Sequence, residues 1–164
     1  MFPDDIEQRA AAVITAASAR GWTIATAESC TGGLVAGALT AVAGSSAVVD
    51  RGFVTYSNAA KSEMLGVPAD LITEQGAVSE PVARAMATGA RGAAKTALAV
   101  SITGIAGPGG GSAEKPVGLV HFACAGPDGL VHEKRLFGDI GREEVRLDSV
   151  RVALGLLLAA CEAG

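Results

Sequence analysis

The run Thr96–Thr103, TALAVSIT, constrains this chain more than any other stretch. It is apolar almost throughout and does not alternate, the mark of a strand buried on both faces of a sheet. It opens directly into Gly104-Ile105-Ala106-Gly107-Pro108-Gly109-Gly110-Gly111, a glycine-rich loop. Four more runs, Trp22–Thr26, Val48–Ser57, Val117–Ala125 and Leu130–Phe137, carry β-branched and aromatic residues and read as strands. The last two flank Gly126-Pro127-Asp128-Gly129, a hairpin turn, so the sheet is mixed rather than purely parallel.

Between the strands the apolar period changes to that of helices. Asp4 or Asp5 can cap a first helix with the stripe Ile6, Ala10, Val13, Ile14 and Ala17, ended by Gly21. Leu34, Val35, Ala38, Leu39 and Val42 mark a second, closed by Gly44, and Asn58 caps a short third over Ala59–Leu65. Ser79-Glu80-Pro81 opens a helix whose face, Val82, Met86, Gly89 and Ala93, is small enough for close packing. A last helix runs from about Gly141 to Ala160, with an apolar stripe broad enough for deep burial or a subunit contact. No repeat and no long linker divides the chain, so a single domain over residues 1–164 is expected.

Composition removes several functions. Apolar residues make up 49% and charged residues 18%, which fits a folded chain and not a disordered one. The net charge of −4 without a dense Lys/Arg block argues against a nucleic-acid partner. The apolar run Val152–Cys161 is too short to span a bilayer, so no membrane partner is expected. Met1–Asp5 leads into no secretory core, and three cysteines, Cys30, Cys124 and Cys161, form no disulfide framework. A cytoplasmic location is the resulting expectation.

Three polar loops follow strands, and in layered α/β sheets ligands collect at such ends. The first is Thr26-Ala27-Glu28-Ser29-Cys30-Thr31-Gly32-Gly33. It places a hydroxyl near helix-start N–H donors, as acyl transfer requires, though an ordinary capped turn has the same composition. The second, Thr55–Lys61, puts Lys61 at the third helical position if Asn58 is the cap. Burial there would lower its pKa and make it a base for Ser29; an exposed surface lysine is the alternative. Tyr56 can relay a proton or hold the amine. The third loop, Gly104–Gly111, matches neither phosphate-loop nor dinucleotide fingerprints and is either an anion-binding nest or a plain loop. Arg142 is a candidate phosphate clamp with Arg146 one turn on, and Glu28 either orients Lys61 or caps the helix. Cys30 is read as a small buried hydrophobe rather than a nucleophile, and His121 and His132 as buried, hydrogen-bonded side chains without metal-ligand spacing.

Taken together, AESCTGG (27–33), GSSAVVDRGFVTYSNAAK (44–61), AVSE (77–80), TGIAGPGGG (103–111), KPVG (115–118) and FGDIGREEVR (137–146) resemble the CinA C-terminal domain family. The resemblance implies a three-layer α/β/α fold with a mixed, mostly parallel sheet of about five strands. It also implies metal- and cofactor-independent deamidation of nicotinamide mononucleotide to nicotinate mononucleotide in pyridine nucleotide salvage, often by a homodimer. On this sequence the family's nucleophile, lysine and tyrosine fall on Ser29, Lys61 and Tyr56. Its substrate pocket falls on Cys30, Thr31, Gly32, Gly33, Thr103, Gly104, Gly107 and Arg142. Gly109 departs from the larger, often polar residue of many relatives, and the N-terminal domain of full-length relatives is not among these residues. Two other readings accompany this one: a nucleotide-binding module without chemistry, and an amidase for another small amide.

Overall fold

A computed structural model describes residues 1–163; Gly164, the last residue of the expected domain, lies outside them. The chain runs α1 (Asp4–Arg20), β1 (Ile24–Glu28), α2 (Leu34–Thr40), β2 (Val49–Val54), α3 (Asn58–Leu65), α4 (Ala69–Gln75), α5 (Glu80–Ala94), β3 (Leu98–Gly104), β4 (Leu119–Gly126), β5 (Gly129–Leu136) and α6 (Arg142–Glu162). The strands form one sheet in the order β2-β1-β3-β4-β5. β1 lies between β2 and β3 with all three parallel, and β3-β4 and β4-β5 are antiparallel. Helices cover both faces, the three-layer mixed arrangement expected from the resemblance. Among the described residues no helix is long and apolar enough to cross a membrane.

The two faces of the sheet are chemically unlike. Alternate strand residues point to opposite sides. Ile24, Leu98, Val100, Ile102, Val120 and Phe122 build a bulky core with α1, α2 and α6. On the other side Ala25, Ala27 and Ala99 face α3, α4 and α5, and Ala123 and Ala125 meet Ala83 and Ala87 of α5. Alanine against alanine lets α5 approach closely, and two hydroxyls fix α5 and the segment that leads into it. Ser101 Oγ donates to the Ala83 carbonyl at 2.6 Å and Thr103 Oγ1 to the Ala77 carbonyl at 2.9 Å.

Several boundaries differ from the sequence reading. β1 starts at Ile24 and runs through Glu28, two residues later than the β-branched run, because its ladder with β3 continues to Ile102. Pro3, not Asp4 or Asp5, stands before α1, and no side chain caps that helix. Ser57 replaces Asn58 as the cap of α3, its hydroxyl accepting from the Ala60 N–H at 3.0 Å, so Lys61 moves one position deeper into the helix. α2 ends at Thr40, short of Gly44, and α4 has no counterpart in the reading because seven residues carry too little periodicity.

Glycine sets the spacing between α5 and α3. A Cβ on Gly89 would lie 1.9 Å from the Leu65 carbonyl oxygen, whereas one on Gly92 would meet nothing within 4 Å. Gly89→Ala is therefore expected to destabilise the fold by roughly 3 kcal/mol through backbone overlap. Gly92→Ala, in the same helix, should be neutral or stabilise by about 0.5–1 kcal/mol. Urea melts of the two variants beside the wild type check the pair, and equal losses would remove close α5–α3 packing as the cause.

Candidate active site

The carboxyl ends of the three parallel strands converge on one cleft of about 300 Å³. Ser29 and Cys30 line it from the turn after β1, and Tyr56, Asn58 and Lys61 from the segment after β2. Gly104, Ile105, Ala106, Gly107, Gly109 and Gly110 come from the end of β3 and its loop. Thr103, Ala77, Val78 and Arg142 complete the wall. The three polar loops thus share one crevice.

At its floor Lys61 Nζ lies 3.0 Å from Ser29 Oγ. Nζ also donates to the carbonyl oxygens of Thr55 at 2.8 Å and Tyr56 at 3.5 Å. The lysine is 1% exposed, and no carboxylate pairs with it among the described residues. Burial without a counter-ion disfavours the ammonium, so desolvation holds the Lys61 pKa below the 10.5 of an ordinary lysine. A neutral amine has two N–H groups and one lone pair. Nζ donates to three oxygens, the Thr55 and Tyr56 carbonyls and Ser29 Oγ, and once it loses a proton its lone pair can turn to the Ser29 hydroxyl. The exposed-lysine alternative is thereby excluded.

The turn after Ser29 is held from two sides. Glu28, fully buried, accepts from Thr31 Oγ1 at 2.7 Å and from the Val35 and Ala36 N–H groups at 2.9 and 3.0 Å. It caps α2 and does not orient Lys61, and Ser29 is not the cap. Ser29 N donates to Ile102 O, and Gly32 N to Ser29 O at 3.0 Å. Among the described residues nothing accepts from the N–H of Cys30 or Thr31. Of the four residues assigned to substrate amides, only Cys30 lines the cleft; Thr31, Gly32 and Gly33 lie behind it. Gly32 is further excluded as a donor because its N–H is already engaged. Burial pushes the Cys30 thiol up to about 12, so it stays protonated and is a poor nucleophile.

Tyr56 is placed differently from its expected role. Its backbone carbonyl faces Lys61, while its largely exposed hydroxyl accepts from Arg142 Nη2 at 3.1 Å. Arg142 Nη1 donates to the Gly107 carbonyl at 2.8 Å, so this guanidinium bridges the second and third loops at the cleft mouth. Among the described residues the N–H groups of Gly107, Gly109 and Gly110 have no acceptor, which leaves a row of donors beside Arg142. Arg146 does not join it; it reaches the turn after Ser29 instead.

His121 and His132 lie outside the cleft. Their rings share a hydrogen bond, Nδ1 to Nε2 at 2.9 Å, and His132 Nδ1 is 3.6 Å from Glu80. Burial, then the neighbouring His132, pushes His121 down to about 4. Sequence reasoning missed the Thr55 carbonyl and the Ala77–Val78 wall, since backbone and apolar contacts leave no chemical signature in the residue types.

Comparison with known proteins gives consistent results. A family model described as the CinA C-terminal domain matches residues 6–161. A CinA-like protein of Anaeromyxobacter dehalogenans is 56% identical over 149 residues, covering 90% of this chain and 36% of that protein. A protein of Enterobacter agglomerans named nicotinamide-nucleotide amidohydrolase PncC is 56% identical over 141 residues, 85% of both chains. The crystal structure of competence/damage inducible protein CihA from Agrobacterium tumefaciens is similar at a TM-score of 0.96 and 57% identity, over 98% of each chain. The chain spans about a third of the length of the CinA-like relatives it matches.

Desolvation of Lys61 has a measurable sign. Between its depressed folded pKa and 10.5 the unfolded chain binds a proton that the folded chain does not, so stability rises with pH across that window. Below the window both states are protonated and the full penalty applies. Replacing Lys61 with Met should remove this rise, leaving the variant more stable than wild type below the window and the advantage shrinking toward pH 10.5. Urea unfolding of both proteins across pH checks it; parallel profiles would show that Lys61 carries no such penalty.

Proposed function

The chain belongs to the CinA C-terminal domain family, and on that footing we propose that it is an amidohydrolase that converts nicotinamide mononucleotide to nicotinate mononucleotide and ammonia. The observation that carries the reading is the buried Ser29 Oγ–Lys61 Nζ contact at 3.0 Å, with the amine's pKa lowered by desolvation. The similarity to a protein named for this activity supplies the substrate.

Lys61 takes the Ser29 proton as Oγ attacks the carboxamide carbon, and the oxyanion that forms accepts from the N–H of Cys30. As the tetrahedral intermediate collapses, the carbonyl re-forms, the C–N bond breaks, and Lys61 returns the proton to the nitrogen, which leaves as ammonia. Water then attacks the acyl-Ser29, Lys61 accepting its proton and passing it to Oγ as the ester breaks. The net reaction consumes one water. Tyr56 does no proton transfer in this scheme; its hydroxyl holds Arg142. Arg142 and the N–H groups of Gly107, Gly109 and Gly110 hold the 5′-phosphate, which favours the nucleotide over free nicotinamide. Gly104 lets the β3 end pass close to β4, since a Cβ there would lie 2.6 Å from Val120 Cγ2, and Thr103 fixes the Ala77 wall. The same reading carries the homodimer.

Ammonia release from nicotinamide mononucleotide, with free nicotinamide as control, tests the reading. Ser29→Ala and Lys61→Ala are each expected to lower turnover by about a thousandfold or more while leaving the fold intact. Arg142→Ala should raise the nucleotide KM roughly tenfold to a hundredfold, the worth of a hydrogen-bonded charge. Wild type that binds the nucleotide without releasing ammonia would replace the amidohydrolase by a binding module.

A further inference from the structure

Two arginines stand one turn apart at the start of α6, and the structure gives them different work. Arg142 lines the cleft and Arg146 does not. Arg146 Nε donates to the Cys30 carbonyl at 3.1 Å and Nη2 to the Thr31 carbonyl at 3.3 Å. It forms no ion pair among the described residues, so its charge is spent on these two peptide oxygens. We propose that Arg146 is a positioning residue for the oxyanion site: its guanidinium fixes the turn after Ser29 by the carbonyl side, so that the N–H of Cys30, which lines the cleft beside Ser29, is held for the substrate, which Arg146 itself does not touch. This rests on the amidohydrolase reading above.

The argument is one of peptide geometry. In a trans peptide the C=O and N–H point in opposite directions. The carbonyl of the Ser29–Cys30 peptide is fixed by the Gly32 N–H at 3.0 Å, which fixes the Cys30 N–H on the other side. The carbonyl of Cys30 itself is fixed by Arg146, so the residue that carries the cleft-lining N–H is held at both of its peptides. The Cys30 N–H lacks an acceptor among the described residues, and Cys30 lines the cleft beside the nucleophile. The third carbonyl of the turn, Thr31 O, accepts from both Leu34 N and Arg146, which closes the clamp. Glu28 grips the opposite side through Thr31 Oγ1. The seat is close: a Cβ on Gly32, where φ is +57°, would lie 3.4 Å from Arg146 Nη2.

Two readouts test this on the intact chain. In Arg146→Ala, kcat for ammonia release from nicotinamide mononucleotide is expected to fall about a hundredfold, the scale of one lost oxyanion donor, with KM changed less than threefold. Arg146→Lys should recover part of the loss, and guanidinium added to Arg146→Ala should restore kcat in a saturable manner. Independently of turnover, the amide proton resonances of Cys30 and Thr31 should move upfield in Arg146→Ala while those of the β3 ladder stay in place. A raised KM with kcat retained would make Arg146 a substrate contact and overturn the proposal, as would unmoved Cys30 and Thr31 resonances. Should Arg146→Ala fail to fold, Arg146→Lys carries the same two measurements. Wild type without ammonia release, with the resonances still shifting, would sink the amidohydrolase reading and leave the clamp.

Discussion

A lysine amine buried at the floor of the cleft, with no counter-ion among the described residues, is the feature around which the strand ends are arranged. Such a group loses its proton readily, because the interior cannot solvate the charge. Holding it there takes a helix to carry it, two carbonyls to receive its N–H groups and a hydroxyl within hydrogen-bond distance. α3 supplies the first, Thr55 and Tyr56 the second and Ser29 the third. The short α3 is itself held by α5, whose Gly89 leaves room for the Leu65 carbonyl one turn beyond Lys61. Close packing of small residues thus keeps the Lys61 amine buried and its pKa below that of an ordinary lysine.

The unequal faces of the sheet serve that end. Large side chains on the α1, α2 and α6 side make a thick core in which helices cannot come near the strands. Alanines on the α5 side make a thin one, and polar strand residues there, Ser101 and Thr103, are satisfied by backbone carbonyls of the covering segment. The thin side brings α3 and the Ala77–Val78 wall up to the strand ends.

Much of this was legible in the residues. The unalternating TALAVSIT run marks β3 as central, and the Gly-Pro-Asp-Gly turn marks the antiparallel pair, because burial on two faces and tight reversal each restrict composition. The three strand-end loops were legible as polar breaks after apolar runs. The details that failed were decided by tertiary contact. Ser57 and Asn58 are both good caps, and only the path of the chain out of β2 selects Ser57. Tyr56 could face either way, and the bond to Arg142, 86 residues on, turns its hydroxyl outward. Gly32 looks like an open donor until its N–H closes back on Ser29 O. Arg142 and Arg146 are indistinguishable by local sequence, since one turn of helix separates a side chain at the cleft mouth from one behind the nucleophile's turn.

That division of labour explains why the chemistry sits at the edge of the sheet and not within a layer. The proposed nucleophile comes from the end of β1, the proposed base from a helix on the thin face, and both arginines from α6 on the thick face. α6 is anchored through Val145, Val150 and Leu154 in the bulky core, so its first turn is fixed relative to the strands without any contact to Lys61. Only at the strand ends do elements from all three layers come within side-chain reach of one point. A change in either core therefore reaches the cleft through a different member: thickening the thin face displaces the base, and loosening the thick face displaces the guanidinium that holds the Cys30 and Thr31 carbonyls.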